Sequence, residues 1–173
     1  MEFLNKMFSK KKYKKLLKKI NNLEKELKVH RQNVQDKLDC CEQNYLNVFS
    51  DLESHLEMFY QPKVNLNTGE ILGAEALVRV LDFNGKYFNT QEFIEVIERE
   101  KLITVLDGCV LENVCGDMRM WRKNGLNLEI PIAVNASSKS FEDMKFPKLV
   151  QRILCSNEIN PELIHLELTE YGG

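Results

Sequence analysis

Apolar residues in the first third of the chain recur three and four positions apart, at Leu16, Ile20, Leu23 and Leu27, which is one stripe of a helix. No proline or glycine interrupts residues 13 to 55, and a helix is predicted over that stretch. Within it Ile20, Leu27, Val34, Cys41 and Val48 repeat every seven residues. The companion seam is poorer, with His30, Lys37 and Asn44 where leucine would pack better. The stripe then drifts to Leu38, Tyr45 and Leu52. Two readings follow for the amphipathic helix over 20–55: a short coiled coil that pairs two copies of the chain, or a helix packed on its own domain.

From residue 57 the pattern changes. Met58–Val64 and Ile71–Val80 read as strands, and the turn-forming Asn65-Leu-Asn-Thr-Gly69 between them predicts a hairpin. Asn84-Gly85 marks another turn. Asn89, with Glu92 three residues on, is an N-cap for a helix from Thr90 to Glu100. A longer helix is expected from Ile103 to Lys123, with Ile103, Leu106, Val110, Val114, Met118 and Trp121 on one face and Gly125 at its end. Pro131 opens a strand from Ile132 to Asn135. Pro147 suits the first turn of a helix whose apolar face is Leu149, Val150, Ile153 and Leu154. Asn160-Pro161 breaks that helix before a last strand, Leu163–Glu167. Hairpin, helices, strand, helix, strand predicts an α/β fold with a largely parallel sheet. Right-handed crossovers put the helices on one side, as in a barrel wall.

The net charge of −2 over 173 residues hides an asymmetry: residues 1–19 hold eight lysines and one glutamate. That basic arm has two readings. With Met1, Phe3, Leu4, Met7 and Phe8 it could rest on an anionic membrane surface. Otherwise it is a solvated terminus. The remainder is acidic and has no basic residues interleaved with aromatics, so no nucleic-acid platform is expected. Five cysteines with no CxxC pair suit reduced thiols in a cytoplasm. No apolar run is long enough to span a bilayer, and the start lacks the order of a secretory signal. A cytoplasmic protein is expected, with the inner face of the membrane as the arm's alternative location.

Three polar residues stand out against these strands. Glu75 sits in an apolar run, Asn135 ends "PIAVN" and Glu167 ends "LIHLE". In parallel α/β barrels, polar residues at the carboxyl ends of strands are catalytic candidates. Two carboxylates and a carboxamide offer only oxygen, which suits Mg2+ or Mn2+ better than zinc. Each residue also has a plainer role. Glu75 could pair with Arg79, on the same strand face. Asn135 could cap a helix over "SSKSF", and Glu167 could be a surface residue at a strand end. His30, His55 and His165 lack ligand spacing, and neither a nucleophile elbow nor a phosphate-binding glycine loop is present.

At these residues the sequence resembles a known family. "FYQPKVNLNTGEILGAEALVR", with Glu75, Ala76 and Leu77, then "FIEVIEREKLITVLD", "IAVNASSKSF" and "HLELTE" match the EAL-domain family of bacterial cyclic di-GMP phosphodiesterases over residues 57 to 171. The resemblance implies a TIM-like barrel whose opening strand runs antiparallel. It implies metal ligands at Glu75, Asn135 and Glu167, with Glu75 and Glu167 catalytic. Gln61 and Arg79 would contact substrate, Arg79 at a phosphate, and Glu170 would anchor an active-site loop. The implied chemistry is two-metal hydrolysis of cyclic di-GMP to pGpG.

The resemblance is partial. After Glu170 the family has a small hydroxylated residue, where this chain has Tyr171, Gly172 and Gly173. The family's Asp-Asp-Phe-Gly-Thr-Gly motif and its later lysine, glutamate and glutamine are not in the sequence. A complete barrel takes roughly 250 residues. The expectation is therefore a truncated EAL domain over 56–173, about half a barrel, with no useful turnover by itself. Such a half could pair with a second copy through its exposed strand edge. The alternatives are a non-catalytic module that binds cyclic di-GMP or a protein partner, and an interaction protein acting through its helix and arm.

Overall fold

The structure, a computed structural model, describes residues 10–126 and 129–169. The first nine residues of the basic arm and Glu170 lie outside the described residues. The chain divides into two compact units, Met1–Gln43 and Asn44–Gly173.

In the first unit the described residues form a single helix, the major part of α1 (Lys10–Phe49). Its apolar stripe, Leu16, Ile20, Leu23, Leu27 and Val34, is exposed. The helix stops at Phe49, short of the predicted residue 55. Ser50 N–H already bonds back to Leu46 and Asn47, and a single 3-10 turn follows over Leu52–Ser54. The last helical turn belongs to the second unit, where Tyr45, Val48 and Leu52 are buried.

The second unit is a four-stranded sheet in the order β1-β2-β3-β4. β1 (Leu56–Val64) and β2 (Ile71–Val80) form the antiparallel hairpin. Its turn is fixed by Asn65, whose side chain accepts from the N–H groups of Asn67 and Thr68, and by Gly69 at φ 76°. Two helices, α2 (Thr90–Arg99) and α3 (Ile103–Lys123), lead to β3 (Ile132–Ser137), parallel to β2. A short helix α4 (Ser138–Glu142) and a longer one, α5 (Phe146–Asn157), lead to β4 (Ile164–Thr169), parallel to β3.

Alternation along the strands sorts the two faces of the sheet. Ala74, Ala76, Val80, Ile132 and Val134 turn toward the helices and join Phe93, Ile97, Leu111 and Val114 in one apolar core. The helices therefore cover one face, as right-handed crossovers require. Close approach at the start of β2 demands glycine. A Cβ on Gly73 would come within 2.7 Å of the Pro131 carbonyl oxygen, and the next residue, Ala74, donates its N–H to that same oxygen.

Helix starts follow local chemistry. Asn89 caps α2 by accepting from the N–H groups of Gln91 and Glu92, while Glu92 accepts from the Asn89 amide and the Tyr45 hydroxyl. The cap of α4 is Ser137. Asn135, one of whose alternatives was that cap, lies inside β3 instead, because the strand runs two residues farther than the periodicity suggests. β4 likewise passes Glu167 and ends at Thr169.

Candidate functional site

The face of the sheet opposite the helices carries the polar residues. β1 contributes Gln61 and Lys63, and Gln61 is paired in register with Glu75 of β2. β3 contributes Asn135, directly paired in register with Glu167 of β4. Asn135 Nδ2 donates to Glu75 Oε1 at 2.8 Å, tying β2 to β3. The structure thus joins Glu75 to Asn135, and no ion pair between Glu75 and Arg79 is present among the described residues. The Arg79 guanidinium instead donates to the Val78 carbonyl.

Lys63 was not singled out by its sequence. Its ammonium forms an ion pair with the Glu167 carboxylate, joining the first strand of the sheet to the last. In a flat sheet three strand spacings of about 4.8 Å would hold β1 and β4 roughly 14 Å apart. A direct contact between two side-chain tips requires the sheet to curl, with Gln61, Lys63, Glu75, Asn135 and Glu167 on its concave side. The signal for Lys63 was the hairpin itself. Gln61 and Lys63 are two apart on a strand and share a face, and the turn sets Gln61 opposite Glu75.

At the carboxyl ends of β2 and β3 lies a cavity of about 110 Å³. Arg79, Asp107, Asn135 and Thr169 line it, with Leu106 and Ile94 beneath. Asp107, on α3, is buried and fixes the turn from β3 into α4. Its Oδ2 accepts the Ser137 N–H at 2.8 Å and the Ser140 hydroxyl at 2.6 Å. Burial pushes the Asp107 carboxyl above the usual carboxylate range, against those two bonds, which favour the charged form. Burial likewise pushes the Cys115 thiol up to about 12, as befits a core residue rather than a nucleophile.

The oxygen set fits a hard cation in kind. The Asn135–Glu75 bond uses one oxygen of Glu75 and the amide nitrogen of Asn135. Among the described residues, no donor reaches Glu75 Oε2 or Asn135 Oδ1. Glu75, Asn135 and Glu167 come from three adjacent strands. Among the described residues, no three His, Cys, Asp or Glu side chains come close enough together to hold an ion by themselves. A site built from the described residues would draw on the carboxamide of Asn135 as well.

A model of the EAL domain matches residues 47–172, most of the chain. The chain belongs to the EAL-domain family. MucR of Pseudomonas aeruginosa, a bifunctional diguanylate cyclase and cyclic di-GMP phosphodiesterase, is 31% identical over 133 residues, covering 74% of this chain and 19% of MucR. PdeB of Escherichia coli, a probable cyclic di-GMP phosphodiesterase, is 32% identical over 111 residues, 64% of this chain and 21% of PdeB. The solved PaMucR phosphodiesterase in complex with c-di-GMP superposes with a TM-score of 0.64 at 29% identity, covering 73% of this chain and 51% of that one. The EAL enzyme Bd1971, bound to cAMP and cyclic di-GMP, superposes at 0.66 and 24% identity over 87% of this chain and 43% of its own, which shows the fold. The present EAL chain spans about a fifth of these two relatives and about half of the solved domain. Its sheet and helices are a partial EAL barrel of the TIM type, preceded by a long helix.

Proposed function

We propose that this EAL chain acts in cyclic di-GMP signalling and that its concave face binds the dinucleotide. The observation that carries the reading is the Asn135–Glu75 hydrogen bond, with Glu167 in register beside Asn135. It gathers three oxygen-donor residues at one place, all on matching motifs of a family whose relatives are named as cyclic di-GMP phosphodiesterases. Glu75, Asn135 and Glu167 would hold Mg2+ or Mn2+. Such an ion, when bound, polarises a phosphodiester and lowers the pKa of a coordinated water.

The chain's own residues supply the rest. Asn135 orients the Glu75 carboxylate through its amide. Lys63 neutralises Glu167 when no other cation does so. Arg79 presents a guanidinium for a phosphate oxygen, and a forked donor suits that partner better than a lysine would. Gln61, opposite Glu75, offers a carboxamide to the substrate. Glu170, the proposed loop anchor, follows β4 directly in sequence.

These 173 residues by themselves carry three oxygen donors of a site that, in two-metal hydrolysis, must clamp both the attacking and the leaving oxygen. We therefore propose binding without useful turnover for the chain alone. The purified chain is incubated with Mg2+ or Mn2+ and cyclic di-GMP, and pGpG is sought by anion-exchange chromatography. None is expected. Turnover that disappears in Glu75→Ala would overturn the proposal.

A further inference from the structure

The first unit poses its own problem. It contains one helix among the described residues, so no other described element of the unit covers Leu16, Ile20, Leu23, Leu27 and Val34, and all five are exposed. A helix stripe of this kind is ordinarily buried against another element. We propose that it is covered by the same stripe of a second copy of this chain, forming a two-helix homodimer over residues 16–34.

The charges beside the seam favour a second copy over an unrelated helix. On the seven-residue repeat that places Ile20 and Leu27 at a, and Leu16 and Leu23 at d, the flanking g positions are Lys19 and Glu26. The flanking e positions are Glu24 and Arg31. Each flank therefore holds one charge of each sign. In a parallel pair Lys19 faces the partner's Glu24, and Glu26 faces the partner's Arg31. In an antiparallel pair the same charges do not all meet at once, because Lys19 opposite the partner's Glu26 and Glu24 opposite the partner's Arg31 need registers about ten residues apart. The parallel arrangement joins both opposite-charge pairs in one register, so the stripe is complementary to itself as a parallel pair.

The limit of the seam is also written in the sequence. Beyond Leu27 the d positions become His30 and Lys37, which do not pack as leucine does. A core of about five apolar positions per helix gives a modest affinity, of the kind that depends on chain concentration.

Sedimentation of the full chain tests this. At about 50 µM a dimer is expected. Leu23→Glu with Leu27→Glu puts charges into the seam and should raise the dissociation constant at least roughly a hundredfold, leaving monomer. Leu66→Glu, on the exposed hairpin turn, should leave the dimer unchanged. Both substitutions fall on exposed residues, and circular dichroism checks that the variants remain folded. A wild-type monomer at that concentration overturns the proposal. So does a dimer that survives the Leu23/Leu27 change, or one lost equally in Leu66→Glu, which would place the contact on the EAL unit instead.

Discussion

Asn135 on β3 donates its amide to Glu75 on β2 at 2.8 Å, and this bond assigns the glutamate a partner that is itself an oxygen donor. Asn135→Ala removes the contact while changing little of the core, because the side chain is only half-buried and points to the concave face. We predict a loss of about 10- to 100-fold in Mn2+ affinity, read from the Mn2+ dependence of the melting temperature. Asn135→Asp sets two carboxylates side by side. It should melt lower than wild type without metal and gain more from Mn2+.

In the proposed metal site the Lys63 ammonium would compete with the metal for the Glu167 carboxylate it pairs with. Lys63→Met should raise Mn2+ affinity several-fold in the same thermal titration. Both side chains are nearly half exposed, at 45% and 43%, so breaking the pair should cost less than about 1 kcal/mol of stability in the absence of metal. An unchanged Mn2+ titration would mean that Glu167 is no ligand.

Asp107 separates a charge effect from a hydrogen-bond effect. Its folded-state pKa is raised, so between roughly pH 4 and that raised value the native chain holds a proton the unfolded chain has released. Its contribution to stability therefore falls as pH rises through that window. Both of its bonds end on one oxygen, so Asp107→Asn can keep them and remove the buried charge. This variant should match or exceed wild type at pH 7 and lose the pH slope. Asp107→Ala should cost about 1–3 kcal/mol or more, by leaving the buried Ser137 N–H and Ser140 hydroxyl unmatched. Denaturant unfolding at several pH values distinguishes them.

Tyr60 reports on the other side of the sheet. Its hydroxyl donates to Asp117 Oδ2 at 2.5 Å, and its ring packs edge-on against Trp121 at 4.7 Å. Burial, and then the Asp117 bond, push its ionisation far above the ordinary value. The folded state thus retains the phenolic proton, and stability is lost as pH climbs above about 10, where the unfolded tyrosine ionises. Tyr60→Phe should cost about 1–2 kcal/mol at pH 7 and shallow the loss between pH 9 and 11.

Much of this architecture was legible because breakers framed it. Gly69, Gly125, Pro131 and Pro161 bracket elements whose periodicity is clear, and β2 (Ile71–Val80) and α3 (Ile103–Lys123) have the bounds the sequence suggests. Where no breaker stands, the pattern of residues does not mark the end of the element. α1 ends at Phe49, where the Ser50 N–H closes the last turn, and β3 runs on to Ser137 because its pairing with β4 continues to Thr169. The candidate site shows the same division. Glu75, Asn135 and Glu167 were visible as polar residues on apolar strands. Whether Glu75 pairs with Arg79 or Asn135 depends on the register between β2 and β3, and the contact between Lys63 and Glu167 depends on the curl of the whole sheet. Neither quantity is local in sequence.

We propose that the concave face binds cyclic di-GMP through Glu75 and Arg79. Titration calorimetry of the chain with cyclic di-GMP in the presence of Mn2+ tests it most directly. A saturable heat is expected, lost in Glu75→Ala and weakened at least about tenfold in Arg79→Ala, with melting temperatures near wild type. A flat titration of the wild-type chain, or a heat that both variants keep, would contradict it.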